Sequence, residues 1–71
     1  MLSLYKALEL TPSATEHEVR LSFRRLAMKW HPDRNQDDPL QAEQHFKEIA
    51  RAYTILSDPI KKREYDASIP Q

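Results

Sequence analysis

The chain has 71 residues, 39% hydrophobic and 31% charged, with no glycine, which leaves room for one domain with one modest core and favours helices over a sheet's glycine-rich turns. Eleven basic and eleven acidic residues cancel, so no overall field draws the chain toward nucleic acid or anionic lipid. The absence of cysteine excludes disulfides, thiol chemistry and thiolate metal sites, and no apolar run approaches the roughly 20 residues needed to span a bilayer.

Five prolines punctuate the chain, at positions 12, 32, 39, 59 and 70, each disfavouring helix at the residue before it. Leu4, Tyr5 and Leu8 at one-turn spacing predict a short first helix over 4–9. Thr15 and Glu18 form the Thr-x-x-Glu pattern of a capping box, so a second helix is expected over 15–31, with Val19, Phe23, Leu26 and Trp30 as its apolar stripe. Pro32 stops it.

Residues 33–38 are polar and rich in turn formers, so 31–38 reads as a loop, and Asp38-Pro39 supplies an N-cap followed by a proline at the first helical position. A third helix over 39–57 follows, carrying Ala42, Phe46, Ile49, Tyr53 and Leu56 at helical spacing. The two long helices are expected to pack stripe against stripe as an antiparallel hairpin, with Trp30 and Phe46 as core residues whose loss unfolds the domain. Ser57-Asp58-Pro59 repeats the stop-and-restart signal, and a last short helix over 59–66 brings Tyr65 back to the pair. The fold class expected is therefore all-α, an antiparallel hairpin of two long helices with a short helix at each terminus.

His31-Pro32-Asp33 lies at the tip of that hairpin. Around it, Leu26-Ala-Met-Lys-Trp-His-Pro-Asp-Arg-Asn35 resembles the second helix and signature loop of the DnaJ family, the J-domain co-chaperones. Tyr5-Lys-Ala-Leu8 and Ala14-Thr-Glu-His-Glu-Val-Arg20 resemble the family's opening and its helix-two entry. Phe46-Lys-Glu-Ile49, Ala52-Tyr53, Leu56-Ser-Asp-Pro59 and Lys61-Lys-Arg-Glu-Tyr-Asp66 follow in the family's order, so the similarity covers nearly all of residues 3–66. The chain departs from the pattern at Ser3-Leu4, at Glu9 where a small glycine is usual, and at His45 where many members have lysine.

The resemblance implies a module that is not an enzyme and needs no cofactor. It implies docking on the ATPase domain of a DnaK-type (seventy-kilodalton heat-shock) chaperone near its interdomain linker, and stimulation of ATP hydrolysis there. Pro32 restricts the corner and displays the His31 ring and the Asp33 carboxylate, the latter suited to an arginine fork on the partner or to this chain's own Arg20. The outward face of the second helix carries Arg20 and Arg24 one turn apart, and Arg25 and Lys29 as a second such pair, offset by Glu16 and Glu18. Resemblance assigns this basic surface to an acidic patch on the chaperone. Arg34, Asn35, Phe46 and Lys47 complete the expected partner-binding set, although a phenylalanine on an apolar stripe is more often core. The start Met1-Leu-Ser-Leu-Tyr5 lacks a basic region followed by an apolar stretch, so a cytoplasmic protein, monomeric as this fragment, is expected.

Two other classes of function compete with this one. An enzyme or metal reading would use His31 with Asp33, or His17, His31 and His45 as ligands; a nucleophile and a phosphate loop are missing. A small helix-turn-helix domain that binds nucleic acid would use the basic helix, but the loop is longer than that motif's turn and the net charge is zero.

Overall fold

A computed structural model describes residues 3–68; Met1, Leu2 and residues 69–71, Pro70 included, lie outside the described residues. The chain folds into four α-helices and one 3₁₀ turn: α1 (Leu4–Ala7), α2 (Glu16–Lys29), the turn Pro32–Arg34, α3 (Pro39–Leu56) and α4 (Pro59–Ser68). The first helix is shorter than 4–9, the second ends before His31, and the last extends beyond 66. The segment read as a plain loop holds a helical turn of its own.

Each long helix starts where its cap dictates. The Thr15 hydroxyl accepts the Glu18 N–H at 3.1 Å and the Glu18 carboxylate accepts the Thr15 N–H at 2.9 Å, which completes the capping box. The Thr15 backbone N–H, and then the Thr15 side chain, hold the Glu18 carboxyl below its ordinary range. Asp38 accepts the Gln41 N–H at 3.2 Å to open α3, and Pro39 occupies the first helical position, where a missing N–H costs nothing. Asp58 accepts from Ile60 and Lys61 at the start of α4.

The end of α1 is less usual. The Leu10 N–H donates to the Tyr5 carbonyl at 2.8 Å and the Glu9 N–H to the Lys6 carbonyl at 2.9 Å, the bond pair of a Schellman motif. This geometry puts Glu9 at φ 58°, the left-handed region that glycine occupies without strain. Here the position usually given to glycine in the resembled family has a backbone reason, and glutamate fills it nonetheless.

Helices α2 and α3 run antiparallel, with the Phe23 and Tyr53 rings stacked 4.2 Å apart at one level and Trp30 stacked on His45 at 4.0 Å near the tip. Tyr5, Leu8, Val19, Leu26, Ile49, Ala52 and Leu56 form the buried core. Trp30 and Phe46 do not belong to it, contrary to the expectation from periodicity, for both are only half-buried. The apolar stripe is wider than the contact between two helices, so its large rings fall on the seams while the smaller aliphatics fill the centre.

Helix α4 packs on α3 and returns to the start of the chain. The Leu4 N–H donates to the Tyr65 hydroxyl at 2.8 Å, and the Tyr5 hydroxyl donates to the Asp66 carboxylate, each contact joining residues 61 positions apart. Lys62 donates to the same carboxylate at 3.0 Å. Burial, and then the bond to Asp66, push the Tyr5 phenol up; the Tyr5 bond and then Lys62 hold Asp66 down; Asp66 in turn raises Lys62.

Candidate functional site

The tip is built by its own hydrogen bonds. Pro32 lacks an N–H and biases the residue before it toward extended backbone, which His31 adopts at φ −62°, ψ 137°. The chain then closes into the 3₁₀ turn, with the Arg34 N–H on the His31 carbonyl at 2.9 Å and the Asn35 N–H on the Pro32 carbonyl at 3.1 Å. His31 caps that turn through its side chain, Nδ1 accepting the Asp33 N–H at 3.2 Å. The Asn35 amide spans the corner from below, Nδ2 donating to the carbonyls of Lys29 at 2.8 Å and His31 at 2.9 Å.

This scaffold leaves the two chemically expressive groups exposed: 51% of the His31 side chain and 87% of that of Asp33 are accessible. The Asp33 Oδ2 lies 3.7 Å from Nδ1 of His31, beyond hydrogen-bond range. Arg20, considered above as an internal partner for Asp33, instead pairs with Glu16 at 3.6 Å on its own helix. Asn35 directs its amide protons inward, onto the end of α2, and so acts by holding the corner.

The basic face of α2 is present but unevenly free. Arg25 is met at 3.6 Å by Glu9, an acid delivered from the α1 turn that the sequence marks only as a departure from the family pattern. Lys29 sits over the Trp30 ring, 5.5 Å from its centroid. Arg24 has no ion pair among the described residues. Lys47 on α3 pairs with Glu43 at 3.1 Å.

Between α2, α3 and the tip runs an open groove of about 420 Å³ with an apolar floor of Phe23, Ala27, Met28 and Phe46. His31, Asp33 and Arg34 form its rim. The Phe46 ring meets His31 edge-on, centroids 6.2 Å apart. Phe46 thus lines the groove rather than the plain core. Met28, 58% exposed, was missed in the sequence because it lies off the stripe; its signal is a large apolar residue beside arginines. His17 lies on the first turn of α2 and His45 under Trp30, and among the described residues no group of three or more His, Cys, Asp or Glu could hold a metal ion.

The internally bonded tip thus closes one end of the apolar groove, and the basic residues Arg20, Arg24, Arg25 and Lys29 lie on the same helix α2 outside the groove lining. The DnaJ domain family model matches residues 3–66. The chain is 53% identical over 62 residues to the chaperone protein DnaJ of Acidithiobacillus ferrooxidans, covering 87% of this chain and 16% of that protein. It is 50% identical over 62 residues to the chaperone protein DnaJ of Thermoplasma volcanium, covering 87% and 17%. It thus spans about a sixth of the length of these curated relatives. Among solved structures it is similar to the J-Trx1 fragment of ERdj5, with a TM-score of 0.86 and 35% identity, over 96% of this chain and 32% of that one. With residues 3–66 matched and the hairpin fold shared, this chain belongs to the DnaJ domain family, the J-domains of DnaJ-type co-chaperones.

Proposed function

We propose that this chain docks on the ATPase domain of a DnaK-type chaperone, near the interdomain linker, and accelerates hydrolysis of the ATP bound there, so that client polypeptide is captured. It does no chemistry of its own, and it works in the cytoplasm. The observation that carries this reading is the exposure of His31 and Asp33 on a turn already fixed by internal bonds. A preformed corner loses little conformational entropy on docking, so more of its contact energy appears as affinity.

The roles divide by chemistry. The Asp33 carboxylate, largely unscreened, accepts an arginine fork of the partner. Its cap bond makes Nδ1 of His31 the acceptor, so Nε2 is the ring nitrogen that donates. Arg20, Arg24, Arg25 and Lys29 supply the long-range attraction to an acidic surface, which sets the association rate and weakens with salt. The groove takes apolar groups of the partner beside Phe46 and Met28. Asn35 contributes by holding the corner, and Arg34 by closing its rim. Stimulation requires that this surface bind the hydrolysis-competent conformation of the chaperone better than the resting one.

Single-turnover ATP hydrolysis by candidate DnaK-type chaperones, with and without this chain, tests the reading. Acceleration that falls with ionic strength is expected. Unchanged hydrolysis across the candidates rejects it.

A further inference from the structure

We infer that Glu9 tunes the docking surface, screening Arg25 so that this J-domain associates with an acidic partner more slowly than its four basic residues would allow; this rests on the docking role proposed above. Glu9 occupies φ 58°, at the turn position where glycine carries no strain and a glutamate does. The turn's hydrogen bonds are made by backbone atoms alone, the Glu9 N–H to Lys6 and the Leu10 N–H to Tyr5. The Glu9 carboxylate is therefore not needed to form the turn, and it is found instead 3.6 Å from the Arg25 guanidinium, across a gap between two elements.

The neighbours make the placement specific. Of the four basic residues on α2, Arg20 is paired within its own helix, Lys29 lies over Trp30, and Arg24 has no ion pair among the described residues. Arg25 alone of them is met by an acid from outside α2. Glu9 also shares a surface depression with Lys29 and Trp30, within the screening length over which one charge alters the potential of the next. An exposed pair of this kind contributes little to stability. Its effect falls on the field an approaching acidic surface meets, which is a rate effect. The strain is thus retained for a charge that acts on another molecule, and Glu9 is a positioning and screening residue, not a contact to the partner.

The test uses the whole chain with Glu9→Gln and Glu9→Gly, each alone and with Arg25→Gln. Stopped-flow association with the DnaK-type ATPase domain should be about two- to threefold faster for Glu9→Gln at low ionic strength. The gain should shrink with added salt and be smaller in the Arg25→Gln background. A second arm needs no chaperone: NMR titration with a hexaglutamate peptide should shift the Arg25 side-chain resonance at lower peptide concentration in Glu9→Gln than in the parent. Glu9→Gly should melt no lower than the parent. Equal hexaglutamate titrations, an effect of equal size without Arg25, or a lower Tm for Glu9→Gly overturns the inference. If the peptide arm behaves as expected while His31→Gln leaves hydrolysis stimulated, the docking reading fails instead.

Discussion

Nδ1 of His31 accepts the backbone N–H of Asp33 at 3.2 Å, so the signature histidine caps the turn that displays the signature aspartate. A ring nitrogen that accepts cannot carry the proton in the neutral imidazole, which fixes the tautomer. Nitrogen-15 shifts of the His31 ring at pH 8 should therefore report a protonated Nε2 and a bare Nδ1. The opposite pattern would break the link between the turn and the donor offered to a partner.

Asn35 closes the same corner from the other side through two bonds, to Lys29 and His31. Asn35→Ala should lose about 1–2 kcal/mol, since each bond contributes roughly 0.5–1.5 kcal/mol net, seen as a Tm fall of about 4–8 °C per kcal/mol. Hydrogen exchange should quicken at Arg34 and at position 35 while the middle of α3 keeps its protection. Unchanged exchange there would remove Asn35 from the scaffold.

Leu26 is buried in the core, whereas Phe46 is half-buried at the groove wall. Leu26→Ala should cost about 2–5 kcal/mol, enough to unfold a domain of this size. Phe46→Ala should remain folded by circular dichroism, lose no more than about 2 kcal/mol, and stimulate the chaperone less. Equal loss of helix in both variants would return Phe46 to the core.

The contact of α4 with α1 through Tyr5, Asp66 and Lys62 gives stability a defined pH window. Asp66 is held below its ordinary value of 3.8, so its contribution is present above that value and is lost as pH falls through the folded pKa. Lys62 is raised above 10.5, so its contribution is complete below that value and is lost as pH rises through its folded pKa. Asp66→Asn should lower stability at pH 7 by roughly 0.5–1.5 kcal/mol and flatten the acid limb of a Tm-against-pH curve. An unchanged acid limb would place the acid sensitivity elsewhere.

Local chemistry was legible in the sequence. The capping box at Thr15 and Glu18, the Asp38-Pro39 start and the Pro32 stop each depend on residues a few positions apart, and each lies where its pattern placed it. What escaped depends on distant residues or on a missing marker. The bond of Tyr5 to Asp66 joins the two ends of the chain, and no periodicity connects them. The Schellman turn at Glu9 lacks the glycine that announces such turns, so the pairing with Arg25 was hidden as well. The aromatic rings of the stripes shared the helical period of the core, but periodicity does not tell the centre of a face from its margin.

In the function proposed above, the His31-Pro32-Asp33 corner acts on a partner and not on the fold. His31→Gln measured in single-turnover hydrolysis beside a DnaK-type chaperone tests it most directly. The variant should keep its helical circular dichroism and melt within a few degrees of the parent, while stimulation falls by roughly tenfold or more, as for an interface hot spot. A folded His31→Gln chain that stimulates as well as the parent would contradict the account.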